Sequence, residues 1–217
     1  PVNARQMAMA YGALGSVLLQ QNRHADANAC LWCSKQSTQD KEDLADIEAV
    51  TDLNLGHCVY KIIGSSYEEG KTTLGHNTWI YYENAEQSAL KANRVDLQVA
   101  ALLAAGKARL HGWQQTKREQ DLKLAGEHAA EARQRLASLA KGPARAEYLI
   151  ALALLLRELD NARGSMRWGD EIRSALLEAE EIAIAEKEKG NRLKSLALGH
   201  LAFFDWDSNR PKEAIQK

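Results

Sequence analysis

The stretch "AYGALGSVLLQQNRHADANACLWCSK", residues 10–35, decides the fold. It contains two amphipathic segments separated by a short polar break at 20–24. Gly15 lies in the middle of the first segment, and Ala27 follows in the second. Two antiparallel helices pack closely only where small residues let their backbones approach. We therefore predict a helical hairpin in which Gly15 faces Ala27, with Leu31 beside the contact.

The same arrangement recurs along the chain. Leu-Gly returns at 55–56 and 198–199, with weaker forms at Ala105-Gly106 and Leu152-Ala153. A polar break and a second amphipathic segment follow each of these sites. In the third and fourth repeats, the second segments carry small and aliphatic residues on one helical face: Ala125, Ala129, Ala132, Leu136 and Leu139, then Ile172, Ala175, Leu176, Ala179, Ile182 and Ala183. This recurrence predicts helix pairs over approximately 4–39, 42–90, 93–141, 143–189 and 191–217.

The first pair resembles a tetratricopeptide repeat (TPR), whose pattern is W-x2-L-G-x2-Y followed by A-x3-F and a proline. Tyr11 takes the place of the tryptophan, Leu18 that of the second aromatic residue, Leu31 that of the phenylalanine, and Gln39 that of the proline. The resemblance implies an all-α fold, a TPR-like α-solenoid of about five antiparallel helix pairs that form a right-handed superhelix. The repeat anchors lie 41, 50, 47 and 46 residues apart. This period exceeds the TPR standard of about 34 residues, as in the stretched arrays of large bacterial regulators and kinesin-light-chain-type adaptors.

Composition favours the same fold class. The chain has 217 residues, of which 45% are apolar, only three prolines, and many strong helix formers. Its 28 Lys and Arg against 29 Asp and Glu give no basic excess, which argues against nucleic-acid binding. No apolar run predicts a membrane span, the first residues do not predict a signal peptide, and three cysteines do not predict a disulfide framework. We therefore expect a cytoplasmic helical protein. Because the last repeat stops inside its second helix, we expect a piece of a longer array.

A nucleotide-binding loop is suggested by Gly70-Lys71-Thr72, which carries the GK[ST] ending of a Walker A motif. Five residues separate Gly64 from Gly70, one more than the motif allows, and Glu68 and Glu69 would place negative charge where phosphates bind. The repeat pattern predicts a turn between helices here instead. Gly64-Ser65-Ser66 would form that turn, Ser66 would cap the next helix with Glu69 completing a capping box, and Gly70 would be the small packing residue.

The cysteines and histidines are candidates for a metal or redox site. Cys30 and Cys33 form a CxxC, but they lie inside a predicted helix and no second CxxC exists. Cys58, His57, His24 or His76 could complete a zinc site if the first two pairs packed side by side. Buried cysteines within helices are the commoner outcome. We therefore predict no metal, no cofactor and no catalytic set, and expect that the chain is not an enzyme.

In TPR proteins the first helices of successive pairs line a concave groove, and residues just after the repeat glycine face the ligand. Carried over by register, this resemblance implies a peptide-binding groove formed by Ser16, Gln20, Asn54, His57, Tyr60, Lys61, Lys107, His111, Arg157, His200 and Phe203. Of the residues that clamp a terminal carboxylate in some TPR domains, only Asn54 is matched. The set would suit a peptide with apolar anchors and some acidic character. The alternative is that about half of these side chains only pack between helices.

The expected function is a protein-interaction scaffold whose groove binds a peptide or a partner helix. The alternative is the sensory or autoinhibitory array of a larger regulator, such as a signalling ATPase, a transcription activator or a caspase-like protease. In that case the partner could be another domain of the same protein.

Overall fold

The structure, a computed structural model, describes residues 3–39, 41–67, 78–186 and 190–207, without the side chains of 63–67 and 206. Within these ranges the chain forms nine α-helices, a short 3-10 helix at Glu42–Leu44, and no strand, so the all-α prediction is confirmed. The helices are α1 (Ala4–Gln20), α2 (His24–Thr38), α3 (Ala45–Tyr67), α4 (Trp79–Lys91), α5 (Val95–Thr116), α6 (Glu119–Leu136), α7 (Pro143–Arg163), α8 (Gly169–Ala185) and α9 (Asn191–Asp207).

The chain divides into two compact units, Pro1–His128 and Ala129–Lys217, which we call unit 1 and unit 2. In unit 1, the helices α1 to α5 each pack against the next one along the chain. The first helices of successive pairs, α1, α3 and α5, also contact one another. In unit 2, α8 packs against both α7 and α9, and α7 contacts α9.

The predicted close approach at Gly15 is confirmed. A methyl group added at Gly15 would lie 2.6 Å from Leu31 Cγ and 3.4 Å from the Ala27 carbonyl oxygen, and both partner residues are fully buried. Gly56 has the same role in the second pair, because a methyl group there would lie 2.7 Å from Cδ1 of Tyr82 on α4. A methyl group at Gly199 would meet no atom within 4 Å. The helix predicted to pack on Gly199 falls in 208–217, outside the described residues.

The predicted turn at Gly64-Ser65-Ser66 is wrong. The helix α3 continues through these residues to Tyr67, so Ser66 is helical and does not cap a following helix. One glycine costs a helix about 1 kcal/mol and serine less, whereas each further residue of an established helix adds a hydrogen bond. The Gly-Ser-Ser sequence is therefore too weak a signal to end α3. Glu69 and Gly70 lie outside the described residues.

A polar layer ties the first hairpin to α3. Ser34 Oγ on α2 donates to the Ala8 carbonyl oxygen on α1 at 2.8 Å and lies 2.9 Å from Thr51 Oγ1 on α3. Next to it, Lys35 forms an ion pair with Asp52, whose side chain is buried. Buried polar atoms are costly unless they are paired, so this layer fixes the position of α3 against the α1–α2 hairpin.

The turns after α1 and α4 end their helices in the same way, which the sequence analysis did not predict. Asn22, after α1, and Asn93, after α4, both have a left-handed backbone, with φ of 59° and 53°. In each turn the N–H of the following arginine donates to the carbonyl five residues earlier, Arg23 to Leu18 and Arg94 to Ala89. This is a Schellman motif with asparagine at the left-handed position. The recurring Asn-Arg dipeptide was the available signal.

In unit 2 the predicted apolar face of α8 is confirmed, since all six of its residues are buried: Ile172, Ala175, Leu176, Ala179, Ile182 and Ala183. The turn before α8 is held by Asp160, a buried residue of α7. Its carboxylate accepts hydrogen bonds from the backbone N–H groups of Arg167 at 3.0 Å and Trp168 at 2.9 Å. Asp160 thereby fixes the direction in which α8 begins.

The two glycines provide a matched test of the hairpin contact. We expect Gly15→Ala to lower the free energy of unfolding by about 1–3 kcal/mol, because the new methyl group overpacks the contact with Leu31. Gly199→Ala should raise it by up to about 1 kcal/mol, because alanine favours the helix and the methyl group meets no atom within 4 Å among the described residues. Urea unfolding followed by circular dichroism measures both. A Gly15→Ala variant as stable as the wild type would contradict the close approach.

Replacing Asp160 with alanine should destabilise unit 2 by about 1–3 kcal/mol, because two backbone N–H groups lose their acceptor. The control is Glu147→Ala, which removes an exposed carboxylate from the same helix. Urea unfolding of both variants compares them. Equal stability of the two variants would show that the Asp160 carboxylate does not hold the turn.

Candidate functional site

The predicted groove residues of unit 1 lie on neighbouring first helices, and the first link joins α1 to α3. Asn54 Nδ2 donates to Ser16 Oγ at 3.0 Å, and Ser16 Oγ donates in turn to the Gly12 carbonyl oxygen at 3.0 Å. Both side chains are half-buried. Ser16 and Asn54 therefore fix the spacing of α1 and α3. Some of the hydrogen-bonding groups of these two side chains are already paired within the protein.

The second link joins α3 to α5. The Tyr60 and His111 rings meet edge to face with centroids 5.5 Å apart, a favourable aromatic geometry. The Gln115 side-chain amide donates to His111 Nε2 at 2.9 Å, which orients the imidazole. Tyr60 and His111 are half-buried. Both rings pack between helices and also form part of the surface. Packing between helices was the alternative role considered for about half of the predicted groove residues.

His57 lies between these two links and remains exposed on one side. Its Nδ1 lies 3.0 Å from the Tyr82 hydroxyl of α4. Burial raises the pKa of the Tyr82 hydroxyl, so Tyr82 keeps its proton and shares a hydrogen bond with His57 Nδ1 as a neutral phenol. Desolvation of the imidazole, together with the nearby Lys61 cation, lowers the pKa of His57. The ring is thus held in one orientation and presents Nε2.

The remaining predicted residues of unit 1 lie at the surface of the described part of the chain. Gln20, Lys61 and Lys107 are exposed, and neither lysine forms an ion pair with any residue that the structure describes. No carboxylate belongs to the predicted set. We define the first-helix face of unit 1 as Ser16, Gln20, Asn54, His57, Tyr60, Lys61, Lys107 and His111. Among the residues that the structure describes, its two lysines have no carboxylate partner.

Two apolar residues of the same face were missed by the sequence analysis. Met9 on α1 and Val50 on α3 lie seven residues before Ser16 and His57, which places them two helical turns away on the same side. Both are exposed, and Met9 is 55% exposed. Each also stands six residues before its repeat glycine, so the repeat register itself could have found them. They give the face an apolar end beside its cationic end.

In unit 2, the predicted residues Arg157, His200 and Phe203 come together in one groove between α7 and α9. The groove has a volume of about 340 Å³ and is also lined by Ser195, Leu196 and Gly199. The Arg157 guanidinium lies over the Phe203 ring, 4.9 Å from its centroid, a cation–π geometry. The absence of a Cβ at Gly199 keeps the α9 side of the groove open.

The described lining of this groove carries positive charge. Arg157 forms no ion pair within the described ranges, and none of the lining residues that the structure describes is a carboxylate. Burial and the nearby Arg157 cation lower the pKa of His200, so its imidazole is neutral near neutral pH. A cation, a neutral imidazole and an exposed aromatic ring together suit an acidic side chain next to an apolar one.

The described residues do not form the metal, redox or nucleotide-binding sites that the sequence suggested as alternatives. Cys30 and Cys33 lie on α2 as predicted, Cys58 Sγ donates to the His24 carbonyl oxygen, and no metal-binding group of three or more His, Cys, Asp or Glu occurs in the described part of the chain. Residues 59–63, which would precede a Walker A loop as a strand, and 64–67, where the loop would begin, are helical, whereas Gly70-Lys71-Thr72 and His76 lie outside the described residues. None of the helices described has the length and apolar character needed to span a bilayer.

No protein-family profile, no curated protein and no solved structure matches this chain. The geometry of the two units therefore carries the functional argument alone.

His57 and His200 should titrate below the ordinary histidine value of 6.5, because both pKa values are lowered in the folded state. Below pH 6.5 the unfolded chain then binds more protons than the folded one, so the free energy of unfolding should fall as the pH falls from 6.5 through the folded pKa values. NMR titration of the imidazole protons, assigned with His57→Gln and His200→Gln, measures both. A pKa at or above 6.5 for either ring would contradict the described environments.

Proposed function

We propose that the chain is a protein-interaction module with a TPR-like α-solenoid fold, and that its first-helix faces bind a peptide or a partner helix. The fold is supported by the repeated small residue in each first helix. It is also supported by the glycine contacts to α2 and α4, and by the contacts among α1, α3 and α5. In solenoids of this kind each pair contacts mainly its neighbours, and successive first helices form a continuous binding surface.

The observation that carries the proposal is that the first-helix face of unit 1 contains two kinds of side chain: some pack against neighbouring helices and the others are exposed. Asn54 and Tyr60 are engaged with neighbouring helices, whereas His57, Lys61 and Lys107 are presented to solvent on that rigid base. A binding surface whose side chains are already ordered loses less conformational entropy on association. On this face the packed side chains of Asn54 and Tyr60 hold the helices in place, and the exposed cations extend from that base, which suits a recognition surface.

The chemistry of the face describes the ligand. Met9 and Val50 offer exposed apolar surface, and Lys61 and Lys107 offer cations that have no carboxylate partner among the described residues. The complementary segment carries an apolar anchor and one or more acidic residues. The groove at Arg157 and Phe203 in unit 2 has the same two components, which supports one class of ligand for both units.

The test reverses the charge of the two exposed lysines. We expect Lys61→Glu/Lys107→Glu to lose the partner, with an affinity reduced by about tenfold or more, because like charges then oppose an acidic ligand. Tyr60 is a poor target, since its ring packs against His111. The matched control is Lys91→Glu, an exposed lysine at the end of α4. Affinity purification with each variant, followed by calorimetry on the recovered partner, provides the measurement.

Circular dichroism must first show that both variants fold like the wild type. A partner lost from the double variant and retained by Lys91→Glu supports the first-helix face as the binding surface. A partner retained by all three proteins would contradict the proposal.

A further inference from the structure

A cavity lies in unit 2 between the end of α6 and the helices α7 and α8. It has a volume of about 170 Å³ and shares no lining residue with the groove at Arg157. Four buried leucines line it: Leu136, Leu149, Leu152 and Leu156. An apolar cavity of about 150 Å³ is large enough to bind benzene. The cavity in unit 2 therefore has room for an aliphatic side chain.

Two ion pairs belong to the lining of the same cavity. Arg133 on α6 pairs with Glu171 on α8 at 3.3 Å, and Arg145 on α7 pairs with Glu178 on α8 at 2.6 Å. The described lining thus carries two cations and two anions. A ligand with a single charge would be attracted by one pair of groups and repelled by the other. A ligand with both charges can place each one beside its opposite.

The Arg145 guanidinium has one donor that no described residue accepts. Its Nη1 donates to the Leu139 carbonyl oxygen at 2.6 Å, and its Nη2 pairs with Glu178. Its Nε is buried and has no hydrogen-bond partner among the described residues. A buried donor without an acceptor is costly, and a carboxylate is the strongest acceptor for a guanidinium. A ligand carboxylate in the cavity would supply this acceptor.

We propose that this cavity binds a free aliphatic α-amino acid of about the size of leucine. Its side chain packs against the four leucines, and its carboxylate accepts a hydrogen bond from Arg145 Nε. Its ammonium group lies beside the partly exposed carboxylates of Glu171 and Glu178. The zwitterion thus satisfies both signs of charge in the lining. The site lies apart from the first-helix face and does not depend on the proposed function.

Calorimetric titration of the chain with L-leucine, up to a concentration of about 10 mM, tests the proposal. We expect a dissociation constant of about 1 mM or lower, as is reasonable for a ligand with so few atoms. Because the ligand contacts α6, α7 and α8 in the folded chain, it should also raise the melting temperature.

Three analogues keep the aliphatic chain of leucine and change its head group. Isocaproate lacks the ammonium group, isoamylamine lacks the carboxylate, and isoamyl alcohol has neither charge. Each should bind about tenfold or more weakly than L-leucine, because each loses at least one charge-assisted hydrogen bond. The series separates recognition of a zwitterion from simple filling of an apolar space.

Two exposed alanines after α6 provide matched variants of the protein. Ala137 belongs to the cavity lining, whereas Ala140 does not. Ala137→Phe should weaken L-leucine binding by about tenfold or more, because the ring occupies the entrance, and Ala140→Phe should bind like the wild type. Arg145→Lys keeps a cation beside Glu178 but removes the Nε donor. It should weaken binding of L-leucine by about tenfold and leave binding of isoamyl alcohol unchanged.

The absence of both a binding heat and a rise in melting temperature with L-leucine would overturn the proposal. The same holds if any of the three analogues binds as tightly as L-leucine, since the two charges of the ligand would then not both be recognised. Circular dichroism controls for folding of the variants. A folded Ala137→Phe variant that binds like the wild type, or an equal loss in Ala140→Phe, would also overturn the proposal.

Discussion

The approach of two helix backbones at Gly15 is the constraint on which unit 1 depends. Leu31 occupies the space that a side chain at position 15 would need, so α2 has one position along α1 at which it packs. At that position Ser34 reaches the Ala8 carbonyl oxygen and Thr51, and Lys35 reaches Asp52. Interiors are close-packed and buried polar atoms require partners. A single small residue thereby determines where α3 lies.

The candidate binding surface is a consequence of this packing. Once Gly15 and Gly56 have placed α2 and α4, the first helices lie side by side, and Asn54 meets Ser16 while Tyr60 meets His111. The side chains that face neighbouring helices are engaged in these contacts, whereas His57, Lys61 and Lys107 remain exposed. The chemistry of this candidate surface is thus set by the residues that the packing of the hairpins leaves exposed.

Sequence patterns predicted packing better than they predicted helix ends. The glycine contact and the buried face of α8 were predictable because small and aliphatic residues at helical spacing have few other uses. The length of α3 was not, because the cost of Gly64-Ser65-Ser66 in a helix is smaller than the gain from continuing it. The left-handed turns at Asn22 and Asn93 were also not predicted, because asparagine takes this backbone conformation less often than glycine does.

The sequence by itself determined the all-α fold and the partners of the first hairpin, because periodicity and small residues act locally along the chain. It also predicted which register positions would face a ligand, a prediction that stays open. Only the tertiary structure decided which of those residues are exposed. Tyr60 and Lys61 are neighbours in sequence, yet Tyr60 contacts α5 whereas Lys61 is exposed to solvent. Likewise, Leu14 and Leu55 hold the same repeat position, yet Leu55 is buried because a preceding hairpin covers it. Burial depends on neighbours distant in sequence, and one helix does not encode them.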